Sequence, residues 1–200
     1  MNGFFGAAPS QAWWGSPWHV IGAAWVIWAL SWFAAALWSR RTTARAGLSE
    51  EWLYRVITAL GVILLFRFWD IPLLRSGWLV SIDLAWAMFG LVVAGMIFTW
   101  WARLHLGTLW SSTVTRKQDH RIVDTGPYAL VRHPIYTGLL LSAFATAVAR
   151  GTIGSLIGAV LVLVGFWVKA RLEERFLSED LGPDYAAYRA RVKMLVPFLL

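Results

Sequence analysis

From Trp18 to Trp38 the chain carries no aspartate, glutamate, lysine or arginine. A helix needs about 20 mostly apolar residues to cross a hydrocarbon core, and no other feature restricts the fold so strongly. Four more apolar runs follow: Trp52 to Leu74, with Arg55, Arg67 and Asp70 inside or near its ends; Trp78 to Trp101, with only Asp83; Pro134 to Ala149; and Thr152 to Lys169. With 58% hydrophobic and 14% charged residues and a mean hydropathy of +0.58, a soluble domain of this size has too little interior to hide the apolar surface. The 15 tryptophans suit the headgroup boundary of a bilayer. The expected fold is all-α, a polytopic integral membrane protein with five transmembrane helices. It forms one membrane domain over 1–200, with three N-terminal spans in 18–101 and a C-terminal core in 103–200.

Charge sets the expected orientation. Arg40, Arg41 and Arg45 lie in the first loop; Arg103, Arg116, Lys117, Arg121 and Arg132 lie between the third and fourth spans. Lys169, Arg171, Arg175, Arg189, Arg191 and Lys193 follow the fifth. The stretch before Trp18 has no Lys or Arg, and so no basic n-region of a secretory signal peptide. Basic loops stay cytoplasmic, which puts the N-terminus outside and all the rich polar segments together in the cytoplasm. The compactness of the chain fits a bacterial inner membrane. The net charge of +7 sits in loops beside apolar spans and matches anionic lipid; no basic stripe for nucleic acid is present.

Arg150 and Gly151 alone separate the last two runs, so these form an antiparallel helical hairpin. Pro134 suits the first turn of its helix, where a missing N–H costs nothing. Gly154 and Gly158 form a G-x-x-x-G that allows close approach of a neighbour.

Polar groups collect at one boundary. HRIVDTGPYALVRHPIY places His120, Arg121, Tyr128, His133 and Tyr136 at the entry to the fourth run, where helix N–H groups and the dipole favour an anionic group. Headgroup anchoring accounts for any one of these residues, but it does not call for Gly, Pro, His and Arg so close together. Glu173 and Glu174 admit two readings: helical ion pairs such as Lys169–Glu173, weak and common, or carboxylates that the hairpin returns to face His133. LGPD breaks the last helix. Pro183 then starts another, ended by Pro197, on which Tyr185 and Tyr188 share a face and which carries Arg191. It is either an amphipathic surface helix on lipid phosphate or a lid whose arginine holds an anionic substrate in a bidentate fork.

Arg67, Asp70, Arg75 and Asp83 gather toward the outer face and read as mutual pairing and snorkelling. His19 and His105 are assigned no role. The absence of cysteine excludes disulfides, thiolate metal sites and cysteine nucleophiles. His120 and His133 lack a carboxylate at metal-ligand spacing, so no metal is expected.

HRIVDTGPYALVRHPIYTG, the hairpin, RLEERFL and GPDYAAYRARV, in that order and at compatible spacing, resemble the isoprenylcysteine carboxyl methyltransferase family. Phospholipid N-methyltransferases share much of the pattern. The resemblance implies a membrane enzyme that uses S-adenosyl-L-methionine without a Rossmann domain and binds it in the cytoplasmic C-terminal region. Carried over by position, His120, Arg121, Ile122, Val123 and Tyr128 match the cofactor-binding segment. His133, Pro134, Ile135 and Tyr136 match an RHPxY block lining the same cofactor, with Thr115 near a further cofactor position. Glu173 and Glu174 match the acidic pair after the hairpin. Arg191 matches an arginine near the substrate carboxylate. Glu174 and Arg191 are thus the expected catalytic residues, and Arg191 and Tyr188 the expected substrate contacts. Lys193, Met194 and Leu195 stand where eukaryotic members continue with Pro and Gly.

The implied partners are membrane lipids and a lipophilic or lipidated acceptor, expected to be a carboxylate of isoprenylcysteine type. The alternatives are N- or S-methylation of a phospholipid, small amine or thiol; an NADPH-dependent membrane reductase; and a scaffold without catalysis.

Overall fold

The computed structural model describes residues 16–36, 42–45, 48–66, 71–107, 115–117 and 122–196. In chain order these form α1 (Pro17–Ala36), β1 (Thr42–Arg45), α2 (Leu48–Phe66), α3 (Ile82–Leu106), β2 (Thr115–Lys117), α4 (Pro127–Leu130), α5 (Pro134–Arg150) and α6 (Ile153–Arg191). The fold is helical, apart from an antiparallel ribbon of β1 on β2 that was not expected from the sequence. Among the described residues, three helices are long and apolar enough to cross a membrane: Pro17–Ala35, Ile82–Leu106 and Ile153–Arg191.

The second run departs from expectation. Its described helix covers Leu48–Phe66, and Pro72–Leu74 forms a 3-10 turn. Proline lacks the N–H that would continue a helix and pushes its predecessor to extended backbone; Ile71 has φ −92° and ψ 114°. Likewise α3 begins at Ile82 and not at Trp78, because Ser81 caps it by accepting from the Leu84 N–H. Ser76 and Trp78, ahead of α3, pair with the hairpin turn, Trp78 N–H donating to Gly151 O (2.9 Å) and Ile153 N–H to Ser76 O (2.9 Å).

Two antiparallel pairings carry the core. In α2 on α6, a Cβ added to Gly158 would lie 2.7 Å from Gly61 O, so the expected close approach is real and its partner is α2. Ser155 Oγ donates to Leu65 O (3.1 Å) in the same seam. In α3 on α5, Ser142 Oγ donates to Val92 O (2.9 Å). Small residues and hydroxyl bonds of this kind are how apolar helices gain by association when lipid is as apolar as they are. Ile27, Phe33, Ile97 and Leu104 are exposed outward, as a lipid-facing surface requires.

A straight helix with the 39 residues of α6 is about 58 Å long, roughly twice the ~30 Å hydrocarbon core. Its length thus exceeds what one crossing needs, and its second half carries the polar residues. Gly182 breaks it at φ 53° and ψ −128°, a conformation that costs a residue without Cβ little. The helix then ends at Arg191, short of Pro197. The following residues are extended alongside the segment before α5: Arg132 N–H donates to Lys193 O (2.8 Å) and His133 N–H to Met194 O (3.1 Å). That pairing competes with further helix and stops it.

Candidate active site

The start of α5 and the middle of α6 meet at one end of the bundle, where the charged residues converge. Arg132 lies just before α5. Its Nε donates to Glu174 Oε1 at 2.6 Å, and its Nη1 donates to the carbonyls of Val192 and, at 3.3 Å, Arg189. One side chain thus ties together mid-α6, the end of α6 and the returning tail. Arg132 and Glu174 are 10% and 4% exposed at the side chain. Such a pair repays its desolvation only when further bonds satisfy both ions. Here the carbonyls serve the arginine, and Arg189 Nε at 3.6 Å adds to the glutamate. Burial pushes the Glu174 carboxyl up, but His133 and Arg132 outweigh it and hold it down at about 2.

Glu173, one residue earlier, is the more open, at 20% side-chain exposure. It accepts from Tyr136 Oη (2.7 Å) and lies 3.4 Å from His133 Nδ1 and 4.0 Å from Lys169 Nζ. The His133 ring stacks on Tyr136 (5.4 Å between centroids, 6° between planes), and Tyr136 stacks in turn on Phe166 (5.0 Å, 25°). Burial lowers the His133 pKa, but contacts with Glu173 and Glu174 outweigh it and leave the imidazole above its ordinary value. His133 Nε2 is buried without a hydrogen bond, 3.5 Å from Glu174 Oε1.

The rest of the cluster is held by the last turns of α6. Tyr188 is buried, its Oη donating to Tyr128 O (2.7 Å). Tyr128 is buried beside His105, rings 6.4 Å apart at 23°. Thr137 Oγ1 donates to Leu195 O (2.6 Å). Arg191 is 67% exposed at the side chain, its Nη2 at 3.3 Å from Asp124 Oδ2.

Of the residues singled out from sequence, His133, Tyr136, Glu173 and Glu174 lie in one contact network. Pro134 is buried at the first position of α5, with Ile135 half-buried beside it. Tyr128 and Tyr188 pack next to that network, Ile122 and Val123 are half-buried upstream, and Arg191 stands at the rim. His120 and Arg121 lie outside the described residues, and of Thr115 the strand backbone alone is described. Three participants had no assigned role: Arg132, quoted within the motif; Lys169, read as half of a helical ion pair; and Tyr54 of α2, which no sequence signal marks. Lys169 Nζ lies over the rings of Tyr54 (5.6 Å) and Tyr136 (5.4 Å).

Fold and site together define a helical membrane protein with a buried ionic cluster at the end of a helical hairpin. Comparison with known proteins gives the family. Residues 87–179 match the isoprenylcysteine carboxyl methyltransferase family. A probable protein-S-isoprenylcysteine O-methyltransferase of Oryza sativa subsp. indica is 30% identical over 210 residues, 96% of this chain and 99% of the relative. Protein-S-isoprenylcysteine O-methyltransferase B of Arabidopsis thaliana is 30% identical over 64% of each chain. A methanethiol S-methyltransferase of Pseudomonas sp. (strain GM41(2012)) is 29% identical over 74% of this chain and 60% of the relative. The chain belongs to the isoprenylcysteine carboxyl methyltransferase family. It is an integral membrane methyltransferase.

Proposed function

We propose that the protein transfers a methyl group from S-adenosyl-L-methionine to the carboxylate of a lipophilic, isoprenylcysteine-like acceptor. The observation that supports the cofactor assignment is the convergence of a buried imidazole and a partly exposed carboxylate on one aromatic-lined point. His133 is buried against both glutamates, its Nε2 3.5 Å from Glu174 Oε1, while Glu173, 20% exposed, is the more open of the two carboxylates. A carboxylate offers oxygen to an ammonium, and an imidazole N–H can donate to a carboxylate. Together they fit the amino-acid end of such a cofactor. When bound, the cofactor supplies a methyl group on a cationic sulfonium.

The chain's residues bind and orient. Tyr128, Tyr136, Ile122, Val123 and Ile135 offer apolar cover for an adenine, His120 and Arg121 belong to the same proposed segment, and Pro134 opens the helix beside it. Glu174 keeps Arg132 in place and so holds the end of α6, which carries Arg191 and Tyr188. Arg191 is proposed to reach the acceptor carboxylate. A carboxylate acceptor is already ionised at neutral pH and needs no general base. The contribution asked of the protein is alignment and removal of water, a term of up to roughly 7–11 kcal/mol in favourable intramolecular cases.

The proposed topology has five spans with the N-terminus outside and the site cytoplasmic, in a bacterial inner membrane. α5, with 17 residues, covers about 26 Å, close to the hydrocarbon thickness. A second reading, S-methylation of a thiol, is favoured by the relatives named methanethiol S-methyltransferase. The test is binding of S-adenosylhomocysteine in nanodiscs, followed by chemical analysis of the product formed from labelled cofactor and membrane extract. A base-labile methyl ester supports the proposal. A thioether overturns the carboxylate assignment, and absence of binding overturns the cofactor.

A further inference from the structure

His105 has no part in the ionic cluster, and it is exposed, so the core does not call for it. Its contacts are nonetheless specific. A Cβ added to Gly126 would lie 2.8 Å from His105 Cε1, 3.0 Å from Nδ1 and 3.1 Å from Nε2. Distances so nearly equal mean that the ring turns its face, not its edge, toward that glycine. Nε2 shares a 2.8 Å hydrogen bond with Thr125 Oγ1, and the ring stacks on Tyr128, 6.4 Å between centroids and 23° between planes. One side chain thus meets Thr125, Gly126 and Tyr128 together, at the turn that opens α4. Gly126 has φ 57° and ψ −130°, a conformation that costs a residue without Cβ little. The same missing Cβ is what lets the ring approach.

The helix end that carries His105 is itself fixed. Arg103 is fully buried and donates from Nη1 to Gly107 O (2.6 Å) and from Nη2 to Ala35 O (2.8 Å), which ties the end of α3 to that of α1. A second element holds the same turn, since Tyr188 of α6 donates to Tyr128 O (2.7 Å). Within the turn, Tyr128 N–H donates to Thr125 O (3.1 Å) and Ala129 N–H to Gly126 O (3.1 Å). A binding side chain is placed accurately when rigid elements lock its support, and here α3 and α6 lock the backbone that carries Tyr128. Resting on the cofactor reading given above, in which Ile122, Val123 and Tyr128 cover the adenine, we propose that His105 is a positioning residue for S-adenosyl-L-methionine. Its ring fixes the Thr125–Tyr128 turn and, through it, the place of Tyr128 beside the adenine. It acts through the turn and touches no reacting atom.

Calorimetric titration of the full chain in nanodiscs with S-adenosylhomocysteine reads both the affinity and the number of sites per chain, for wild type, His105→Ala and His105→Phe. Truncating an exposed side chain opens no internal cavity, so all three proteins should unfold at the same temperature. His105→Ala should weaken binding by about tenfold, equivalent to about 1.4 kcal/mol, with the number of sites unchanged. His105→Phe keeps a flat ring on Gly126 and Tyr128 and loses the bond to Thr125; it should stay within about threefold of the wild type. Equal affinity of wild type and His105→Ala overturns the proposal. So does a fall in the number of sites at unchanged affinity, which would make His105 a residue of the fold alone. An equal loss in both variants also overturns it, because the ring would then play no part. Absence of binding to the wild type would overturn the cofactor reading, and the proposal with it.

Discussion

Glu174→Gln keeps the shape of the side chain and removes its charge, so it isolates what the buried pair does. In the wild type, Arg132 is 10% exposed and bonded to a carboxylate that is 4% exposed. Removing one partner of a buried pair costs about 3–5 kcal/mol, because the other charge stays buried without compensation. The lower end applies here, since Arg132 keeps its bonds to the carbonyls of Val192 and Arg189 and the amide oxygen of Gln still accepts. For a chain of 150–250 residues each kcal/mol moves Tm by about 2–4 °C, so a cost of about 3 kcal/mol lowers it by about 6–12 °C. Thermal unfolding in detergent, followed by tryptophan fluorescence, reads the shift. Hydrogen exchange should localise the loosening to residues 188–196, which Arg132 ties down. Glu173→Gln, at a more open position, should lower Tm less. If Glu174→Gln unfolds at the wild-type temperature with the tail still protected, the argument that this pair fastens the last helix is wrong.

Two further outcomes follow from the site. Arg191→Ala should raise the acceptor KM on the order of tenfold or more (tenfold being about 1.4 kcal/mol), or abolish turnover, while S-adenosylhomocysteine binds as before; a matching loss of cofactor affinity would refute this division of labour. His133 is held above its ordinary value of 6.5, so the stability its charge contributes is complete below pH 6.5 and is lost as pH rises through the higher folded value. Wild-type Tm should therefore decline above pH 6.5, and His133→Asn should flatten that decline; equal slopes in the two proteins would show that His133 does not carry it.

Much of the architecture was legible because its signals are local. Charge-free runs, a two-residue connection and Pro134 at a helix start depend on nothing distant, and the hairpin and its N-terminal turn appear where those signals put them. Gly158 was readable as a site of close approach, but its partner Gly61 lies on a helix that only the tertiary structure brings there. The errors have the same origin. Pro72 and Ser81 are strong local punctuation inside runs judged by hydropathy: Pro72 opens a 3-10 turn and Ser81 caps the start of α3. The end of α6 was assigned to Pro197, whereas the extended segment after Arg191 stops it by pairing beside Val131–His133, a long-range event without a local mark. At the site, GPYALVRHPIY and the Glu173–Glu174 pair stood out because charge is costly at a membrane boundary. Arg132, Lys169 and Tyr54 did not, because each is an ordinary residue until its neighbours are known.

The central claim is that this ionic and aromatic cluster is a site for S-adenosyl-L-methionine. Calorimetric titration of the full chain in nanodiscs with S-adenosylhomocysteine tests it most directly, with Glu173→Gln as the paired variant. Saturable binding to the wild type is expected, weakened by about tenfold or more in Glu173→Gln, a loss of about 1.4 kcal/mol. Absence of binding to the wild type, or equal affinity in both proteins, would contradict it.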